Sequence, residues 1–330
     1  MPSIADTTAE LIHWVFPEHA GAPGQIHGGR MMEWIAQAGT LAAARLARGM
    51  VALGAMDDID FLHPVKVGEI AILRAQVEHV GRSSLEVGVR VWAENVATGR
   101  SAVCLNAHLV FVAMDEPGHP RPVPDKIEPQ GAEEEALVAA ARDRREHRLA
   151  RFARRESRVL DTASEDAGIR WKFESVRTTL PEDALFGDMM FAGKMLMQLD
   201  EAGGILSMRY CRGLVMTACL DAMDFHTPIF THEVLTFQAG LNFVGTSSLE
   251  TGVKVLAERP QTGEVRHACT AYLTYVHLGD DRNDLRPRPC RPFTPETPAE
   301  RRRWAEAQVR REHRLARVKR LKSAIQNERG

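Results

Sequence analysis

The chain contains itself twice. GRSSLEVGV at residues 81–89 returns as GTSSLETGV at residues 245–253, an offset of 164. The same offset carries Asp60-Phe61 onto Asp224-Phe225, Pro64 onto Pro228, Ala93-Glu94 onto Ala257-Glu258, Thr98-Gly99 onto Thr262-Gly263, and Gly29 onto Gly193. REHRLAR at 145–151 recurs at 311–317, shifted by 166. A register held over that length is a tandem duplication, so the fold must be two copies of one unit. At 330 residues each copy is long enough for its own core. The boundary is expected near residues 155–165, giving units 1–158 and 159–330.

Each copy reads the same way. A Gly-containing loop opens a helix of about 15 residues, in HGGRMMEWIAQAGTLAAARLA and again in FAGKMLMQLDEAGGILSMRY. Strand-like runs follow, divided by turn signals: AMDDIDFLHP, EIAILRAQVEHV, SSLEVGVRVWAEN and SAVCLNAHLVFVAM, then LDAMDFHTP, EVLTFQAGLNFV, SSLETGVKVLAE and VRHACTAYLTYVHL. One helix followed by long antiparallel strands implies an α+β unit whose curved sheet wraps the helix. Proline-rich connectors and charged helices close each copy.

In the second helix Met195, Leu196, Leu199 and Ala202 make a buried face, and Asp200 interrupts it. A carboxylate there is costly unless paired, protonated or used. The offset places Ala36 opposite Asp200 and Gln37 opposite Glu201, so the first helix keeps the shape without the charge. Glu33, one turn before Ala36, is a lesser candidate to replace it.

The order of elements, the HGG-to-helix loop, the SSLE hairpins, the PVPDKIEP exit and the doubled layout resemble the double-hotdog acyl-CoA thioesterases. AMDDIDFLHPVKVGE followed by SSLEVGV is similar to their cytosolic acetyl- and long-chain acyl-CoA hydrolases. The resemblance covers nearly the whole chain. It implies two tandem hotdog domains packed as an intramolecular pseudo-dimer, with active sites between them. It also implies three such chains in a ring, a homotrimer or pseudo-hexamer of hotdogs, and it leaves the lipid-binding extension of some members without a counterpart.

Thioester hydrolysis needs a carboxylate that activates water or attacks the carbonyl, and amide donors about 3 Å from the developing oxyanion. Gly193 lies about 10 Å along the helix from Asp200, too far for both to grip one carbonyl. The donors are therefore expected from the other copy, at His27, Gly28 and Gly29, where glycine and a helix N-terminus allow close approach to free N–H groups. Many relatives carry an Asn a few residues before the HGG loop. Gly21 stands there, and Gln25, His19 or His27 could supply the missing polar group, with Gln25 preferred. His27 is equally open to a structural reading, since Phe191 matches it.

Arg82, Ser83 and Ser84, with Thr246, Ser247 and Ser248, sit at hairpin turns. They are read either as contacts to CoA phosphate or pantetheine, Arg82 foremost because phosphates need cations, or as hairpin chemistry kept by duplication. Asp60 and Asp224 occur in both copies and are expected to be structural. His63 and His226 lack the His-Asp pattern of a dehydratase. The basic C-terminal helix, whose Trp304, Leu315, Val318, Leu321 and Ile325 can share an apolar stripe, is expected to pack on the body or on a neighbouring chain rather than to bind nucleic acid.

A formal net charge of −2 gives no footprint for nucleic acid. Five scattered cysteines without a CxxC pair argue against a disulfide framework or zinc site and fit a reducing cytoplasm. No signal peptide or bilayer span is legible. The expected activity is hydrolysis of acyl-CoA without a cofactor, CoA being part of the substrate. The alternatives are an acyl-CoA-binding protein without hydrolysis and, less favoured, a hydratase.

Overall fold

The computed structural model describes residues 1–156, 168–281 and 284–327. The expected boundary between 158 and 159 falls outside them. The first copy runs β1 (Ala9–Trp14), α1 (Gly28–Ala47), β2 (Val51–Met56), β3 (Ile59–Asp60), β4 (Ile70–Val80), β5 (Ser84–Asn95), β6 (Arg100–Glu116), β7 (His119–Pro120) and α2 (Gly131–Glu156). The second runs β8 (Lys172–Thr178), β9 (Ala184–Phe186), β10 (Met189–Met190), α3 (Ala192–Cys211), β11 (Leu214–Leu220), β12 (Met223–Asp224), β13 (Val234–Val244), β14 (Ser248–Arg259), β15 (Glu264–Gly279) and α4 (Pro298–Asn327).

The two central helices are each 20 residues, longer than the expected 15. Both end on an arginine in the left-handed region, Arg48 at φ 54° and Arg212 at φ 55°, 164 residues apart. A glycine follows each. The duplication has thus preserved a backbone conformation that ordinarily favours glycine or asparagine.

In each copy an antiparallel sheet wraps its helix, the hotdog arrangement. The first sheet orders β1-β4-β5-β6-β2-β12, with β7 against β6, and the second β3-β11-β15-β14-β13-β8. Leu85, Val87, Val89 and Val91 of β5 are all buried and alternate in sequence, the period of a strand with one face on a core. Leu249, Val253 and Val255 repeat this in β14. The edge strands β1 and β8 escaped sequence reading because each is short and half exposed.

The run read as one strand, AMDDIDFLHP, is divided. Its start belongs to β2, while β3 crosses to the other copy and pairs with β11, Asp60 opposite Cys219. Its counterpart β12 pairs with β2, Met223 opposite Met56. Each copy therefore completes the other's sheet edge, and α1 packs directly on α3.

The charged helices lie over the outer faces of the sheets, held by ion pairs. Arg144 reaches Glu78 and Glu86, and Arg148 reaches Asp57 and Glu86. In the second copy Arg310 bonds Glu250 at 2.6 Å, Arg314 bonds Asp221 at 2.9 Å, and Arg317 clamps Asp60 through both carboxylate oxygens at 2.6 and 3.0 Å. The glutamate of each SSLE motif is thus a docking point for its own copy's helix. The apolar stripe expected on α4 is corrected: Trp304 packs 4.4 Å from Phe243, but Leu315 is 53% exposed. The docked face carries arginines because the sheet beneath presents carboxylates. The side chain of Ile325 lies outside the described residues.

Candidate active site

Packing α1 against α3 brings the N-terminus of the first helix onto the middle of the second. A Cβ on Gly29 would stand 2.9 Å from the Met197 Cα, and one on Gly28 would stand 2.5 Å from the Thr217 side chain, so both positions require glycine. The pseudo-symmetric contact is present as well, with Gly193 against the Glu33 Cα.

Asp200 lies at this crossing, 1% exposed. Its Oδ2 accepts from the Gly29 N–H at 2.7 Å. Its Oδ1 accepts from Thr217 Oγ1 at 2.8 Å and from the Tyr275 hydroxyl at 3.0 Å. The Tyr275 hydroxyl also lies 2.9 Å from the Asp200 carbonyl oxygen. Strand register explains the pair: Thr217 of β11 is directly opposite Tyr275 of β15. Burial first, then the Asp200 charge, holds the Tyr275 phenol well above its ordinary pKa, so it remains a donor.

His27 caps α1, its Nδ1 accepting from Gly29 N–H at 3.1 Å and standing 3.4 Å from Asp200 Oδ2. Gly29 N–H is thus engaged by Asp200 and His27. Gln25 is buried, and its Oε1 has no hydrogen-bond partner among the described residues.

The hairpins are arranged differently. The carbonyls of Arg82 and Thr246 accept from Val123 and Cys290 of the proline-rich exits, and those of Ser83 and Ser247 accept from Ala113 and His277. The Ser84 and Ser248 carbonyls close the turns by accepting from Gly81 and Gly245. No described contact joins either hairpin to Asp200. His63 and His226 are exposed. Glu33 is buried but engaged by Arg30 at 2.5 Å and Lys194 at 3.4 Å.

Thr217 and Tyr275 were missed in the sequence. The signal was there: under the offset of 164 they match Leu53 and Phe111, polar against apolar, as Asp200 matches Ala36. Elsewhere, Cys211, His277 and Cys290 bring one donor atom each within 4.8 Å of one another. That is one ligand short of a closed structural zinc site, and their sequence separations give no metal-motif spacing.

Residues 23–99 and 187–264 each match the thioesterase superfamily, and the two segments start 164 residues apart, the spacing of the repeat. The human cytosolic acyl coenzyme A thioester hydrolase is 27% identical over 315 residues, covering 89% of this chain and 80% of that protein. Protein VdlD of Helicobacter pylori is 34% identical over 149 residues, 45% of this chain and 83% of that one. Among solved structures, an apo-hexameric acyl-CoA thioesterase is 34% identical, covers 46% of this chain and 96% of its own, and superposes with a TM-score of 0.44. No described helix is long and apolar enough to cross a membrane.

Proposed function

The chain belongs to the thioesterase superfamily, and from that premise we propose that it hydrolyses acyl-CoA to a free carboxylate and CoA at one site per chain. The observation that carries this reading is the Asp200 carboxylate of one copy held 2.7 Å from the α1 N-terminal amide of the other. Asp200 acts as general base. Thr217, Tyr275 and Gly29 fill most of the roughly four acceptor positions of a carboxylate, which blunts it as a nucleophile and leaves a lone pair on the His27 side for a water. The base takes a proton as the water attacks the thioester carbon. The N–H of Gly28, aided by the helix dipole, stabilises the oxyanion. Collapse of the tetrahedral intermediate expels the CoA thiolate.

Gln25, with its unpartnered amide oxygen, orients the water or the substrate amide. Arg82, Ser83, Ser84, Thr246, Ser247 and Ser248 are assigned to the CoA moiety, with Arg82 as the cation for phosphate. No cofactor is required. The protein acts in the cytoplasm as a homotrimer, with the domain division at 158/159.

Asp200→Asn is expected to lower kcat at least about 100-fold, the effect of losing a catalytic base, with an unchanged circular dichroism spectrum. Near wild-type hydrolysis across a panel of acyl chain lengths would sink the assignment. Single turnover in H2(18)O should leave Asp200 unlabelled; labelled Asp200 would mean covalent attack. Wild-type protein that binds acyl-CoA but releases no thiol from any chain length would support the non-hydrolysing alternative.

A further inference from the structure

The pseudo-twofold that builds the Asp200 constellation also builds its twin, where α1 faces the start of α3, and the twin is hollow. Ala36 stands for Asp200, Leu53 for Thr217, Phe111 for Tyr275, Phe191 for His27 and Met189 for Gln25. Every polar group of one site has an apolar counterpart in the other. Loss of function alone would scatter the replacements and let the space close. Instead a cavity of about 260 Å³ remains, with Ala36, Leu53, Met189, Phe191, Met195 and Ile229 among its walls. None of His27, Asp200, Thr217 and Tyr275 lines it, so it is separate from the first site.

An apolar cavity of about 150 Å³ suffices for benzene. This one is larger, and past Thr40, Leu185, Phe186 and Phe191 it adjoins a groove of about 560 Å³ beside α1. Cavity and groove together are lined mostly by apolar side chains, which suits an aliphatic chain. Its wall also carries Thr227, whose buried hydroxyl has no hydrogen-bond partner among the described residues. A buried hydroxyl left in that condition calls for a partner, and a ligand oxygen would supply one.

We propose that the twin site binds an aliphatic acyl chain without hydrolysing it, its carboxyl or carbonyl oxygen accepting from Thr227 Oγ1. The choice of an acyl chain rests in part on reading the first site as an acyl-thioester hydrolase. Hydrolysis is excluded in the twin because its carboxylate and both supporting hydroxyls are gone, and Glu33 is engaged by Arg30 and Lys194.

Equilibrium dialysis of the full chain against radiolabelled decanoate tests this. One saturable decanoate per chain should persist in Asp200→Asn. Ala36→Phe, which fills the cavity, should weaken it at least tenfold, and Leu185→Trp at the exposed rim serves if Ala36→Phe does not fold. Thr227→Val should weaken binding several-fold. Thr227→Val and the filling variants should keep kcat/KM for decanoyl-CoA within about twofold of wild type. Competition by a decanoyl-CoA thioether identifies the thioester as the ligand, and failure to compete identifies the free acid. Absence of saturable decanoate binding at millimolar concentration, or binding unchanged by both filling substitutions, overturns the proposal. Decanoate binding without any thioester hydrolysis would overturn the enzymatic reading alone.

Discussion

Asp200 is a buried carboxylate made tolerable by three donors drawn from three elements: the amide of Gly29 at the start of α1, Thr217 on β11 and Tyr275 on β15. Hydrogen bonds to a charged group contribute about 1.5–3 kcal/mol each. Tyr275→Phe should therefore cut kcat about 10- to 100-fold by freeing the carboxylate to rotate, and stopped-flow thiol release measures it. An unchanged kcat would make the phenol a packing group. The same reasoning governs the twin site. An aspartate placed there by Ala36→Asp meets no hydroxyl, because Leu53 and Phe111 stand where the first site has Thr217 and Tyr275. The single substitution should destabilise the protein without adding turnover. A triple variant, with Leu53→Thr and Phe111→Tyr added, should recover stability, and thermal melts of the two side by side distinguish the outcomes.

Helices α2 and α4 depend on ion pairs with carboxylates buried on the sheets' outer faces, and such pairs are sensitive to pH. Burial pushes the Glu78 carboxyl up to about 7, against the pull of Arg144 and with a further push from Glu86. Asp221 is raised to about 6 by burial, opposed by Arg314. A folded-state pKa above the unfolded value of about 4.5 means the native protein holds the proton more tightly. That stability is present at low pH and is lost as pH rises from about 4.5 to about 7. Glu78→Gln removes this titration. Its melting temperature should fall between pH 5 and pH 8 by roughly 3–5 °C less than wild type, measured by calorimetry, and an identical fall would show that Glu78 does not titrate in that window. Beside it, burial and the nearby arginines hold the His108 imidazole down at about 3, so histidine cannot supply the compensating charge.

The two copies are joined by α1 on α3 and by the exchange of β3 and β12, so the terminal strands β1 and β8 are left as the outer edges. Both carry exposed apolar side chains, Ile12 and Trp14 on one and Val176 on the other. Ile12 and Val176 are related by the 164-residue offset. Unpaired edges of this kind invite pairing with another chain. A head-to-tail contact of β1 on β8 closes when its rotation returns to the start, and three chains of 36.7 kDa would give about 110 kDa by sedimentation equilibrium. A 36.7 kDa species at micromolar concentration would rule out the ring. Ile12→Glu should shift the assembly toward the single chain.

Duplication, the α+β order and the odd carboxylate on the second helix were legible in the sequence because they are periodic or local. A repeat offset survives in letters, alternation marks a strand with one buried face, and a charge on an apolar helix face breaks its own pattern. The strand exchange was not legible, since a two-residue strand has no period and its partner lies in the other copy. Nor was the full donor set of Asp200. Thr217 and Tyr275 lie 17 and 75 residues from Asp200 along the chain, and they meet only because strand register and helix crossing set them around one carboxylate. The fold's pseudo-symmetry likewise turned a list of polar-to-apolar differences into two places, one polar and one hollow, because only in space do Ala36, Leu53, Met189 and Phe191 line a single cavity.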